Sequence, residues 1–244
     1  MREFSTMSVI ELMELGGVEL HDNSHFIYTS GLHGSGYANL RALAKEENLP
    51  VLRELSFRLI CNALEAMQPE DGDRIVVVGP ETLGAIIAKE GVEEYNRRDP
   101  LRNKPLEHGS FIHDPESPEM FLWGASNGIG LIQPDPNQPP GKVIWVDDLL
   151  NQASTWRRTN HLVSDMWPNA IEVVATVADR SKETPESLGV PMMVCLRKLD
   201  IDSFEPDECP QCTGEIPIVR KPGHGHAYEK KHPDYTGGYT DHPT

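Results

Sequence analysis

The sequence has few cysteines, a deficit of positive charge and no long apolar run. Its 244 residues include four cysteines, at positions 61, 195, 209 and 212, too few and too unevenly placed for a disulfide framework. The formal net charge of −16 argues against a binding surface for nucleic acid or an anionic membrane. No apolar stretch approaches the length of a membrane span, and residues 1–6 lack the apolar core of a signal peptide. We therefore expect a cytoplasmic protein without nucleic-acid or membrane partners.

Positive charge is also absent locally, because no Lys or Arg occurs between Lys104 and Lys142. Only His108 and His113 can carry a positive charge in that segment, and the run 113–119 is acidic. The proline-rich stretch 134–141 predicts a loop. A site for a polyanionic ligand would therefore need cations from other parts of the chain or from a bound metal ion.

The most informative stretch runs from Lys142 to Thr155. Val143–Val146 is a short apolar run that is typical of a buried strand in a parallel sheet. Asp147 and Asp148 follow where that strand should end, and a small polar turn then leads into a helical segment. Carboxylates accept hydrogen bonds from ribose hydroxyls, while loop amides and a helix N-terminus receive phosphate. The stretch therefore predicts a sugar-phosphate site, although such an acid pair can also simply cap the next helix.

Two further strands are predicted to end near the same place. Residues 73–80 form an apolar strand that turns through residues 81–84 into a helix, and residues 170–178 form another that ends in Asp179-Arg180. The alternation of strands and helices predicts an α/β fold with a central parallel sheet flanked by helices. Ligands of such folds bind beyond the carboxyl ends of the strands. We therefore expect the three strand ends to converge on one site.

The stretch 143–155 resembles the signature for phosphoribosyl pyrophosphate (PRPP) in type I phosphoribosyltransferases. The signature is a hydrophobic strand, Asp-Asp, an aliphatic residue and a Thr/Gly-rich turn, and Asp147, Asp148, Leu149 and Thr155 fit it. Residues 151–153, Asn-Gln-Ala, stand where the family has Thr-Thr-Gly, and alanine tolerates a positive φ poorly. The segment 26–37, an apolar strand ending in Ser-Gly and followed by an aromatic residue, resembles the N-terminal part of orotate phosphoribosyltransferases.

The resemblance implies transfer of ribose 5-phosphate from PRPP, together with Mg²⁺, to orotate in a homodimeric enzyme of pyrimidine biosynthesis. It implies a hood over the base and a guanidinium that pairs with the carboxylate of the base. That arginine can instead form a salt bridge at the rim with Asp179 or Glu183. The implied roles fall to Asp147 and Asp148 as catalytic and ribose-binding acids, Ala153, Ser154 and Thr155 for the 5′-phosphate, Pro80, Glu81, Thr82, Leu83 and Gly84 for pyrophosphate, and Ser30, Gly31, Tyr37 and Arg180 for the acceptor base.

The chain departs from the family where a flexible catalytic loop is expected, in residues 111–133. Orotate-type enzymes carry Lys or Arg there, and this chain has none. A basic cluster, Arg97, Arg98, Arg102 and Lys104, is either a solvated helix end or a source of positive charge for a diphosphate in its own or a neighbouring subunit. Two alternatives therefore remain: a protein that binds PRPP or a nucleotide in a regulatory role without turnover, and a transferase with a different acceptor base.

The predicted organisation is an N-terminal helix and hood (1–45), an α/β core (46–200), a CxxC extension (201–220) and a disordered tail (221–244). Some bacterial orotate-type enzymes end in a segment similar to Cys209-Pro-x-Cys212-x-Gly-x-Pro. The two cysteines are half of a zinc site. His224 and His226 could complete it, although their spacing differs from the usual His-x₃₋₅-His.

Overall fold

The computed structural model describes residues 3–21, 23–99, 105–114, 116–117, 121–123 and 140–243. Elements are numbered along the chain. The strands are β1 (Glu19–His21), β2 (Phe26–Ile27), β3 (His33–Gly34), β4 (Tyr37–Asn39), β5 (Ile75–Pro80), β6 (Glu107–His113), β7 (Phe121–Trp123), β8 (Lys142–Leu150), β9 (Ile171–Asp179), β10 (Met192–Lys198), β11 (Ser203–Phe204), β12 (Ile218–Val219) and β13 (Tyr239–Thr240). The helices are α1 (Val9–Leu15), α2 (Leu49–Met67), α3 (Leu83–Arg98), α4 (Ser154–Ser164), α5 (Pro185–Leu188), α6 (Pro210–Thr213) and α7 (Gly225–Glu229), and short 3₁₀ turns lie at Phe4–Thr6, Leu40–Ala44 and Glu46–Asn48.

The chain divides into two compact units whose boundaries differ from the predicted ones. The first contains Met1–Gly16 and Leu43–Lys198, and the second contains Gly17–Ala42 and Leu199–Thr244. Helix α1 therefore belongs with the α/β core, and the hood segment shares a unit with the C-terminal extension. The sequence pattern missed this grouping because it depends on pairing between strands that are far apart in the chain, such as β3 with β11.

The first unit is built on a central sheet with the strand order β10-β9-β8-β5-β6-β7 in the described residues. All neighbours in it are parallel except β7, which runs antiparallel to β6. Strand β5 is buried along its whole length, and Val143–Val146 of β8 are also fully buried. A strand covered on both faces needs a continuous apolar run, so the predicted α/β sheet is confirmed.

Helices complete the first unit by covering the sheet with apolar side chains. Helix α2 buries residues at helical spacing, among them Leu52, Leu55 and Leu59, and it packs against α3, β9 and β10. A second cluster contains Trp145, Trp156 and Trp167 beside Val76 and Val174. Among the described residues, no helix combines the length and the apolar character needed to cross a membrane.

The second unit consists of short strands and a small apolar cluster. Strands β11, β3 and β2 form one sheet, β1 pairs with β4, and β12 pairs with β13. Phe26, Tyr28 and Val219 are buried together in its cluster. The prediction of a disordered tail after residue 220 is wrong, because α7 and β13 lie there. Arg220 bonds to the carboxylates of Glu229 and Asp241, and these contacts hold a segment whose polar composition suggested disorder.

Candidate functional site

Three adjacent parallel strands bring the predicted site segments to one edge of the sheet. Strands β5, β8 and β9 are neighbours, and the carboxyl ends of parallel strands lie on the same side. The corner Pro80–Gly84 follows β5, the turn 151–155 follows β8, and Arg180 follows β9. The predicted convergence of these segments is therefore present.

Strand β8 continues past the point where its pairing with β5 ends. The last β5–β8 pair is Val78 with Trp145, whereas pairing with β9 extends to Leu150 and Asp179. Asp147 and Asp148 lie in this overhang, so they belong to the strand itself and not to the turn that follows it. The overhang places two carboxylates beside the carboxyl end of β5.

The environment of the two acids differs. Asp147 is only 8% exposed, and its Oδ1 accepts a 2.9 Å hydrogen bond from the Asp148 backbone amide. Burial raises the pKa of the Asp147 carboxyl well above its usual range, and the neighbouring charge of Asp148 raises this pKa further. Asp148 is partly exposed. A buried acid with a raised pKa next to an accessible one is typical of a functional site.

The turn after β8 is closed by a residue in the left-handed conformation. Ala153 has φ +52° and ψ +23°, and it is the N-cap of α4. This is the position where the family signature has glycine, and the structure confirms that the backbone there needs a positive φ. Arg157 braces the turn, since it donates to the Gln152 carbonyl at 2.5 Å and pairs with Glu183 at 2.9 Å. The N-terminus of α4 is thus fixed at the sheet edge, together with Ser154 and Thr155.

The corner after β5 depends on two glycines that allow close backbone approach. A Cβ on Gly79 would lie 2.2 Å from the Gly84 carbonyl oxygen, and a Cβ on Gly84 would lie 2.6 Å from Pro80 Cδ. A Cβ on Gly84 would also lie 3.0 Å from the Val146 carbonyl oxygen, so the corner lies next to β8. Gly84 is therefore required by packing, a reason that the sequence did not reveal.

The same corner is joined to β6 through Glu81. The Glu81 amide donates to the Phe111 carbonyl at 2.7 Å, and the Glu81 carboxylate accepts from the His113 amide at 3.1 Å. These two bonds hold the corner from the side opposite β8, because β5 lies between β8 and β6 in the sheet.

Arg180 is half-buried beside the end of β8, and its amide donates to the Leu150 carbonyl at 3.0 Å. The two acids considered as its rim partners are engaged by other cations. Asp179 pairs with Lys198 at 2.8 Å, and Glu183 pairs with Arg157. Both interpretations of Arg180 therefore stay predictions.

The predicted hood residues lie in the second unit. Ser30 and Gly31 are exposed in the turn between β2 and β3, where the Gly31 amide donates to the Tyr28 carbonyl at 3.0 Å. Gly31 has φ +85°, a conformation that favours glycine. Tyr37 is half-buried in β4 and packs on Phe26, with ring centroids 5.5 Å apart.

The basic cluster near residue 100 is partly described. Arg98 lies 2.6 Å from both Glu54 and Glu94, and Arg97 also pairs with Glu94. Both arginines end α3, whose sixteen residues span about 24 Å from the corner after β5. Arg102 and Lys104 lie outside the described residues, as does much of the expected catalytic loop, at 115, 118–120 and 124–133. Within the described chain, Arg98 therefore pairs with two buried acids, whereas Arg97 is exposed and pairs with one of them.

The CxxC cysteines meet two histidines, but not the predicted ones. Ligand atoms of His25, His33, Cys209 and Cys212 all lie within 4.8 Å of one another, an arrangement that could hold a metal ion. His224 instead bonds to Thr29 at 2.9 Å, and His226 lies 3.7 Å from Glu229. No local signal in the sequence pointed to the actual partners, because they precede the cysteines by more than 170 residues.

Comparisons with known proteins identify similar sequences and a similar fold. The chain is 28% identical to orotate phosphoribosyltransferase of Carboxydothermus hydrogenoformans over 82% of its own length and 88% of the relative. It is 30% identical to the protein of the same name from Caldicellulosiruptor bescii, again over 82% and 88%. A crystal structure of orotate phosphoribosyltransferase from Francisella tularensis superposes with a TM-score of 0.50 and 14% identity, over 78% of this chain and 84% of that one, and shows a shared fold. No protein-family model matches the chain.

Proposed function

The chain belongs to the orotate phosphoribosyltransferase family, and we propose that it transfers the phosphoribosyl group of PRPP to a ring nitrogen of orotate. The products are orotidine 5′-monophosphate and pyrophosphate. The observation that carries the proposal is the meeting of an acid pair, a helix N-terminus and a glycine-dependent corner at the ends of three adjacent strands. Each of these features suits one part of PRPP.

Different residues at this edge bind different parts of PRPP. Asp147 and Asp148 accept hydrogen bonds from the ribose hydroxyls, and Ala153–Thr155 at the start of α4 receive the 5′-phosphate. The corner Pro80–Gly84 receives the pyrophosphate through the first backbone amides of α3, at Leu83 and Gly84. Bond breaking at the anomeric carbon passes through an oxocarbenium-like state. The protein therefore contributes mainly orientation and fixed electrostatics.

The oxygen donors at this edge fit Mg²⁺, which prefers carboxylates and substrate phosphates. Asp147 is ionised only at a cost, because burial and Asp148 raise its pKa. A nearby cation would favour its charged form. Magnesium, when bound with PRPP, supplies charge neutralisation for the leaving pyrophosphate. This contribution matters in a chain of net charge −16.

From the family resemblance, Arg180 is proposed to pair with the carboxylate of orotate. The same resemblance gives Ser30, Gly31 and Tyr37 of the second unit a proposed role in base binding. A homodimer is proposed from the family resemblance, and the partner subunit would then be a source of cations for the diphosphate.

A second candidate is a PRPP-binding protein without turnover. It is favoured by the Asn-Gln-Ala sequence of the phosphate turn and by the lack of Lys or Arg between 104 and 142. A third candidate, transfer to another base, differs only in the acceptor. The three make different predictions for binding and for pyrophosphate release.

The test incubates the full chain with PRPP, MgCl₂ and orotate, and follows pyrophosphate release together with calorimetric PRPP binding. Release that requires orotate supports the proposal. Binding without release for orotate or for a panel of other bases supports the regulatory candidate, and release with another base alone identifies a different acceptor. Absence of both binding and release would remove the proposed site.

Asp148→Asn tests the ribose role. We expect at least a tenfold loss of PRPP affinity, about 1.4 kcal/mol, because an amide cannot replace the charged acceptor. Asp165→Asn is the matched control, since Asp165 is exposed at the opposite end of α4. Equal affinities for the two variants would contradict the role of Asp148.

A further inference from the structure

Four side chains that can ligate a metal converge in the second unit from two distant parts of the chain. His25 Nε2 lies 3.0 Å from His33 Nδ1, 3.6 Å from Cys209 Sγ and 3.7 Å from Cys212 Sγ. His33 Nδ1 lies 3.1 Å from Cys212 Sγ. His25, His33 and Cys209 are fully or almost fully buried, and Cys212 is half-buried.

These separations match the edges of a coordination tetrahedron. Zinc binds His nitrogen at about 2.0–2.1 Å and Cys sulfur at about 2.3 Å, which gives ligand–ligand edges of about 3.3–3.8 Å. Four of the six ligand pairs lie 3.0–3.7 Å apart, close to this set, and all six lie within 4.8 Å. A metal ion requires all four ligand atoms to surround one point, whereas hydrogen bonds between pairs of these side chains would not.

The surroundings hold the ligands in a metal-binding orientation. His25 Nδ1 lies 3.0 Å from the Ile216 carbonyl, and a carbonyl can only accept. The His25 ring therefore carries its proton on Nδ1 and directs the Nε2 lone pair into the cluster. A metal-bound histidine usually donates its second nitrogen in this way. His33 is fixed in β3, and Cys209 is the N-cap of α6.

We propose that His25, His33, Cys209 and Cys212 bind one structural Zn²⁺ that joins the hood segment to the C-terminal extension. Two thiolates and two imidazoles in a tetrahedral arrangement select zinc over the hard cations Mg²⁺ and Ca²⁺, which prefer oxygen ligands. Four protein ligands complete the coordination shell, so the site is structural and not catalytic.

The ion would supply stability that the small apolar cluster of this unit lacks. Small folds with little core commonly depend on a metal. The ligands His25 and His33 also enclose the segment 26–32, which carries Ser30 and Gly31. If the proposed base-binding role of these residues holds, the zinc fixes both ends of the loop that covers the base.

The first experiment measures metal in the full wild-type chain, purified without a polyhistidine tag. We expect one zinc per chain by mass spectrometry of the metal. After exchange into Co²⁺, we expect the intense visible bands of a tetrahedral thiolate site. Substoichiometric metal after incubation with excess Zn²⁺ and gel filtration, or a disulfide between Cys209 and Cys212, would overturn the proposal.

The second experiment compares matched variants. Cys212→Ser and His33→Gln should lose the zinc and the cobalt bands. Cys195→Ser and His226→Gln change the same residue types outside the cluster, so they should retain both. A zinc-retaining Cys212→Ser variant, or zinc loss from the control variants as well, would contradict the ligand set. If the cluster variants do not fold, the metal content and the cobalt spectrum of the wild-type chain still test the proposal.

The consequence for the base loop has a separate readout. Zinc removal by a strong chelator, followed by removal of the chelator and restoration of Mg²⁺, should lower the melting temperature of the wild-type chain. It should also raise the KM for orotate more than it weakens PRPP binding. Zinc content and the cobalt spectrum need neither substrate. Failure of the phosphoribosyltransferase assay would therefore leave the metal result intact, and failure of the metal result would leave the assay intact.

Discussion

Replacing Ala153 with glycine tests the most unusual backbone position of the site. Ala153 has φ +52° and is 4% exposed, with its methyl group in the cluster that contains Trp145 and Trp156. Ala153→Gly relieves the left-handed conformation, worth about 1–2 kcal/mol for a residue with a Cβ. It also removes a buried methyl, which costs about 0.8 kcal/mol of stability. Glycine raises the conformational entropy of the unfolded chain, which costs about 0.4–1 kcal/mol more.

These contributions nearly cancel, so we expect the free energy of unfolding to change by less than about 1 kcal/mol. Ala63→Gly is the matched control. Ala63 is fully buried in the middle of α2, where glycine gains nothing and loses both the methyl contact and about 1 kcal/mol of helix propensity. The control should therefore be destabilised by about 2 kcal/mol.

The assay is urea unfolding followed by tryptophan fluorescence, since Trp145, Trp156 and Trp167 belong to the cluster that Ala153 joins. PRPP affinity should be equal or higher in Ala153→Gly, because the turn keeps its shape and a Cβ leaves the phosphate turn. Equal destabilisation of the Ala153 and Ala63 variants would refute the reasoning. Weaker PRPP binding by Ala153→Gly would refute its functional part.

Two further predictions concern buried charge. Because the pKa of Asp147 is raised in the folded state, its ionisation lowers the free energy of unfolding as pH rises above the unfolded pKa of about 3.9. In urea unfolding, Asp147→Asn should therefore be as stable as the wild type in acid and more stable at neutral pH, and it should bind PRPP more weakly. A variant less stable than the wild type at neutral pH would count against this reasoning. Arg98→Ala removes an arginine partner from the buried acids Glu54 and Glu94. We expect the free energy of unfolding to fall by roughly 2–4 kcal/mol at neutral pH, more than for the replacement of the exposed Arg97 by alanine. The pKa of Glu94 is lowered by its hydrogen bonds to Arg97 and Arg98. The stabilisation from these pairs is therefore present above the unfolded glutamate pKa, and it should fade as pH falls through the lowered pKa. A difference in stability between Arg98→Ala and the wild type that does not depend on pH would argue against this reasoning.

The sequence predicted those parts of the fold that depend on local pattern. The apolar runs of β5, β8 and β9 identified the central strands, and the residues after them predict where a site would lie. The partners of Cys209 and Cys212 could not be read in this way, because His25 and His33 approach them only through the pairing of β2, β3 and β11. The ordered segment after Arg220 was missed for the same reason, since its contacts depend on tertiary structure and its composition is polar.

Two features of the first unit that cost free energy support the proposed location of the site independently of any resemblance. Glu54 and Glu94 are buried acids, but each is paired with arginine. Asp147 is a buried acid for which the described part of the chain shows no ion pair, and six residues later Ala153 holds a positive φ. Neither feature stabilises the fold. Sequences usually agree with local rules except where function requires otherwise. Gln68 and Asn169 of this unit also have a positive φ, but Asp147 and Ala153 combine a buried acid with a strained turn on β8. A bound, charged ligand at that edge is the simplest reason for the fold to keep both.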